Sequence, residues 1–215
     1  MLGTIQHIQR TLAHAVIAGA FIAGGAGAVL AQAQPGKPAP EFALTDSAGK
    51  TVTLADLKGK TVVLEWTNQD CPYVRKHYGT GNMQSLQKEA ATKDVVWLTI
   101  SSSAPGFQGH VTALEADELT ASRKAAPAAF LFDTDGKVGR SYDARVTPHM
   151  YVIDKVGVLA YMGAIDDKPT ANHADVKTAR PYLKEAVEAV LAGSPVKVAS
   201  TRAYGCSIKY ATPRS

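Results

Sequence analysis

Cysteine is scarce in this chain, with two in 215 residues, Cys71 and Cys206. Two thiols exclude a disulfide-dense scaffold, in which many bridges stand in for a hydrophobic core. They leave one possible pairing, 135 positions apart, and nothing in the spacing decides whether it forms. Massed charge is also missing. The 23 Lys and Arg residues are scattered among 19 Asp and Glu, so the net charge of +4 describes a solvated surface and excludes a nucleic-acid footprint. No internal repeat is present.

Charge is nearly absent from the first thirty-odd residues, where Arg10 is the only lysine or arginine before position 37. The run AHAVIAGAFIAGGAGAVL that follows is small and apolar, and Ala31-Gln32-Ala33 places small residues where a signal peptidase reads. This predicts an export signal over residues 1–33, cut after Ala33. An uncleaved anchor is the rival reading, because residues 15–31 approach the ~17 to 25 needed to span a bilayer. Their glycines and alanines make them only weakly hydrophobic, which favours cleavage. The expected product is periplasmic or otherwise exported, without stable membrane insertion. Its ~180 residues fit one domain, residues 34–193, followed by a tail over 194–215 that carries Cys206.

Within the domain, short β-like runs at 42–45 and 51–54 flank Asp46-Ser47-Ala48-Gly49 and predict an N-terminal hairpin. TVVLEWT and DVVWLTIS read as strands buried on both faces. Between them, residues 72–91 turn helical, with Gly79 and Gly81 predicting a kink or two shorter helices. A helix over 111–125, a strand in AAFLFD, a brief helical connection and a hairpin at 150–153 and 158–162 follow. An amphipathic helix is expected over 175–191, and no element in the tail. The order βαβαβ, hairpin, α predicts an α/β fold with a central mixed sheet flanked by helices.

Cys71 stands in EWTNQDCPYVRKHY, where a buried strand has ended and a helix begins. Pro72 fits the first helical position, since its missing N–H needs no partner there. The sulfur is thereby expected at a helix N-terminus, where backbone donors stabilise a thiolate. Arg75, one turn on, would add positive charge, and Asp70 would oppose it. The alternative is an inert buried thiol. Glu65 is the second unusual residue, a carboxylate inside a buried strand, costly unless partnered or protonated. It reads either as a structural ion pair or as a proton donor and acceptor beneath Cys71.

PAPEFALTDSAGKTVTLADLKGKTVVLEW, the cysteine at the strand-to-helix junction and TPHMYVIDKVGVLAYMG together make residues 37–191 resemble the thioredoxin superfamily. The likeness is to its redoxin branch, related to the AhpC/TSA peroxiredoxins and to exported thiol:disulfide proteins. It implies a thioredoxin-like fold, a thiol oxidoreductase with antioxidant activity or disulfide exchange, no cofactor, and peroxide or protein thiols and disulfides as substrate, with an electron donor the sequence does not name. Pro148 matches the family's cis-proline beside the active cysteine, and Glu65 its buried acidic residue. The departures are specific. Val74 replaces the second cysteine of C-x-x-C. Thr67 stands four residues before Cys71, where peroxiredoxins place a threonine or serine three residues before theirs. Pro148 takes the aligned arginine position, with Arg145 near it.

Cys206, in AYGCSIKY, is the candidate for the missing partner, as a resolving thiol or as a static staple. Resolution needs the two Cα atoms within ~7 Å. His149 is a candidate neighbour of the thiolate, and Cys71, His77, His149 and Met150 form a possible soft-metal set. The reading is thus an exported redoxin acting through Cys71, with Glu65, Thr67, Arg75, Pro148 and Cys206 as site residues. The rival from another class is a non-catalytic binding module on the same fold, a copper carrier or a partner-docking protein of the envelope.

Overall fold

The structure, a computed structural model, describes residues 32–212. The expected export segment lies outside these residues except for Gln32 and Ala33. Strands β1 (Ala43–Asp46) and β2 (Thr51–Thr53) form the N-terminal hairpin. Its turn is fixed by Asp46, whose Oδ1 accepts the Ala48 and Lys50 amides at 3.0 and 2.8 Å, the local bonding that suits aspartate to turns.

The two apolar runs become the central strands β3 (Thr61–Trp66) and, after the helices, β4 (Val95–Ser101). Between them lie α1 (Pro72–Gly79) and α2 (Asn82–Thr92), divided where Gly81 takes a φ of 76°. The remaining elements are α3 (Ala113–Ser122), β5 (Ala129–Phe132), α4 (Lys137–Ser141), β6 (Val146–Thr147), β7 (His149–Ile153), β8 (Leu159–Gly163), α5 (Tyr182–Leu191) and β9 (Cys206–Ser207). A seven-stranded sheet runs β2-β1-β5-β4-β3-β7-β8, and β6 pairs with β9 alone. Strands β3, β4 and β5 are parallel, while β1 and β7 join them antiparallel, giving the mixed sheet the element order implies.

Strand alternation divides the core into two faces. Val62, Leu64 and Trp66 pack with Tyr142, Tyr151 and Ile153 on one. Val63 packs with Cys71, Val74, Met150 and Val152 on the other. Glu65, two residues from Val63, therefore shares the face of Cys71.

Two expectations are corrected. The single helix over 175–191 is broken, with a 3-10 turn at His173–Lys177 and α5 starting only at Tyr182. Pro181 is the reason, because it lacks an amide to donate and disfavours helical backbone in the residue before it. The tail is not without structure. It folds back so that β9 pairs antiparallel with β6, Thr147 opposite Cys206.

Candidate active site at the strand-to-helix junction

Cys71 is the N-cap of α1, with Pro72 in the first turn, and its residue is fully buried. Its side chain makes no cap hydrogen bond to the helix amides. Instead Sγ donates to the Thr147 carbonyl at 3.0 Å and accepts the Cys206 N–H at 3.4 Å. The Thr147-Pro148 peptide is cis, so the expected cis-proline lies next to the carbonyl that Cys71 contacts. Both cysteines are free thiols.

The tail reaches this point through a glycine. Gly205 has a φ of 138°, and a Cβ there would overlap the Thr147 carbonyl. A position that excludes every side chain lets the tail backbone press onto the cis-proline segment. The Cys206 thiol is raised to about 12, first by burial, then by its hydrogen bond to Cys71 and by negative charge on the Cys71 sulfur, with Lys209 pulling the other way.

Glu65 is fully buried, and burial raises its carboxyl against the lowering effect of its hydrogen bonds. Oε1 accepts from the Tyr78 hydroxyl at 2.9 Å. Oε2 accepts from Trp97 Nε1 at 2.9 Å, Gln87 Nε2 at 3.2 Å and Thr99 Oγ1 at 3.3 Å. The carboxyl thus stands on the face of Cys71 and connects to α1 through Tyr78, with all four hydrogen-bond partners drawn from residues other than the cysteines. Thr67 is buried with no hydrogen-bond partner for its hydroxyl, and its amide bonds the Ile100 carbonyl at 3.0 Å. Arg75 points along the preceding loop, to the Gln69 carbonyl at 3.0 Å and Asp70 at 3.2 Å. Its charge is met by Asp70, the residue expected to oppose it.

The histidines do not gather at the thiol. His149 lies on the opposite face of β7 from Met150, stacked on Tyr151 with ring centroids 4.6 Å apart and Nδ1 3.1 Å from the Tyr151 hydroxyl. Burial lowers it to about 4. His77 pairs with Asn82 at 2.9 Å. Strand alternation thus places His149 on Tyr151, away from the Cys71 cluster in which it was a candidate neighbour of the thiolate. Among the described residues, no group of three or more His, Cys, Asp and Glu side chains is placed to hold a metal ion.

A feature absent from the sequence reading lies one helical turn beyond Cys71. The side chains of Lys76 and His77 are fully buried, with that of Asp166 5 % exposed. The three meet the Tyr204 hydroxyl of the tail. Arg75-Lys76-His77 reads locally as a solvated helix face, and the partners of Lys76 lie some 90 to 128 positions downstream, so no local pattern announces the cluster.

The family model described as Redoxin matches residues 34–180. The Thioredoxin-like protein YneN of Bacillus subtilis (strain 168) is 29% identical over 146 residues, covering 66% of this chain and 80% of that protein. An uncharacterized conserved protein of Geobacillus kaustophilus superposes with a TM-score of 0.70 at 26% identity, over 85% of this chain and 94% of the other. A hypothetical protein of Sinorhizobium meliloti 1021 reaches the same TM-score at 23% identity, over 83% and 96% of the two chains. With a cysteine at the strand-to-helix junction, the cis-proline and the mixed sheet in place, the chain belongs to the Redoxin family, the thiol oxidoreductases of the thioredoxin fold.

Proposed function

We propose that this protein is an exported thiol:disulfide oxidoreductase in which Cys71 reacts with substrate and Cys206 resolves. The observation that carries the reading is the Cys206 amide on the Cys71 sulfur at 3.4 Å, held there by the β6–β9 pair. The Cys71 thiolate attacks a substrate disulfide, forming a mixed disulfide and releasing one substrate thiolate. Cys206 then attacks the Cys71 sulfur, the Cys71–Cys206 bond forms and the second substrate thiolate leaves. The substrate gains two electrons and the protein dithiol loses two.

The first step prepares the second. Once Cys71 carries a mixed disulfide, its charge and its hydrogen bond no longer hold the proton on Cys206, and burial alone remains of the causes that raise that thiol. A cleft of about 560 Å³ lined by Val146, Asp166, Tyr204 and Gly205, among others, opens beside the tail and offers space for a substrate segment. Pro148 shapes the backbone under the sulfur, and Glu65 serves as the proton store of that face. Disulfide is favoured over peroxide as substrate because Thr67 and Arg75 make no hydrogen bond to Cys71, Arg75 being engaged by Gln69 and Asp70. Export rests on residues 1–33, and no helix among the described residues is long and apolar enough to cross a membrane.

The test compares reduction of a protein disulfide with consumption of hydrogen peroxide by wild type and Cys71→Ser. Disulfide reduction lost in Cys71→Ser supports the reading. Peroxide consumption alone would replace it with a peroxidase.

A further inference from the structure

Tyr204 fastens the tail two residues before Cys206. Its hydroxyl donates to Asp166 Oδ1, receives Lys76 Nζ at 3.1 Å and lies 3.3 Å from His77 Nε2. Its ring packs on Tyr73, centroids 5.8 Å apart. Lys76 Nζ also donates to the Lys168 carbonyl at 2.8 Å. The second Asp166 oxygen makes no hydrogen bond and faces Lys76 at 3.7 Å and His77 at 3.8 Å. Taking an ammonium and a carboxylate out of water is costly even when they pair, and here the pair closes around one hydroxyl from the tail.

Tyr73, Lys76 and His77 all belong to α1, the helix that Cys71 caps. One rigid element therefore holds both sulfurs, Cys71 at its N-terminus and Cys206 through Tyr204 docked on its first two turns. We propose that Tyr204, gripped by Asp166, Lys76 and His77, is a positioning residue that delivers Cys206 to Cys71 and so sets the rate of the resolving step. The inference rests on the resolving role proposed above for Cys206. It leaves the first reaction of Cys71 outside the influence of Tyr204.

An aromatic disulfide with a coloured leaving thiolate separates the two steps by stopped flow. Cys71 releases one equivalent in a phase that depends on reagent concentration. Cys206 then displaces the second in a phase that does not, forming the Cys71–Cys206 bond. The expected result is that Tyr204→Phe, which removes the hydroxyl shared by Asp166, Lys76 and His77, slows the second phase about tenfold or more, with the first phase unchanged. Asp166→Ala should do the same, and Asp166→Asn, which keeps an acceptor for the hydroxyl, should recover part of the rate. A wild-type second phase that keeps its rate in both Tyr204→Phe and Asp166→Ala overturns this inference alone. So does an equal loss of both phases, which marks a structural role. Absence of any second phase in wild type overturns it together with the resolving role of Cys206.

Discussion

At the residue scale, Glu65 shows how much an environment can change a side chain. Its two oxygens accept four hydrogen bonds and remain fully buried, and desolvation outweighs those bonds to raise the carboxyl. The unfolded chain releases this proton near 4.5, while the folded chain keeps it to higher pH. Between those values the native state binds the extra proton, so stability falls as pH rises through the window and levels off above it. The slope for one group is at most about 1.4 kcal/mol per pH unit. Glu65→Gln, neutral throughout, should flatten it, as urea unfolding at pH 5 and pH 8 would reveal. An equal slope in wild type and variant would remove the raised carboxyl from the account. Lys76 makes the opposite demand. Lys76→Met leaves Asp166 buried without its cation and should lower the unfolding free energy by about 3 kcal/mol, read from the urea midpoint; an unchanged midpoint would mean that the pair is not closed.

At the scale of elements, the tail is the piece that alters the site. β9 pairs with β6, Gly205 packs on Thr147, and the Cys206 amide lies on the sulfur of the fully buried Cys71. Gly205→Ala introduces a Cβ into the Thr147 carbonyl at a φ that L residues rarely adopt, so it should unseat β9. In Cys206→Ser protein, which leaves one thiol, alkylation of Cys71 by iodoacetamide should then quicken severalfold. An unaltered rate would show that something other than β9 covers the sulfur. The strands and helices nearest the site were legible because TVVLEW and VVWLTIS are continuous apolar runs and because Cys71-Pro72 joins a strand end to a helix start. Pro181 marks the helix break in the sequence, but an apolar stripe at helical spacing continues across it and hides the interruption.

Across the whole molecule, what stayed hidden depends on distance along the chain. The Cys71–Cys206 approach, the Cys71–Thr147 contact and the contacts of Lys76 with Asp166 and Tyr204 each join segments at least 76 positions apart. No local period carries such information, and two cysteines in AYGCSIKY and QDCPYV name a pair without placing it. His149 misled for a related reason, since its position after Pro148 suggested the sulfur while strand alternation sent its ring to Tyr151. The architecture itself followed from the order of elements, with three parallel strands and an antiparallel hairpin on each side. The central claim is that the folded tail completes the redox site. It is tested most directly by oxidising the reduced protein with one equivalent of a small disulfide and mapping the product by peptide mass spectrometry. The account predicts an intramolecular Cys71–Cys206 disulfide in monomeric protein; a stable mixed disulfide on Cys71 with Cys206 still reduced, or dimers linked through Cys71, would contradict it.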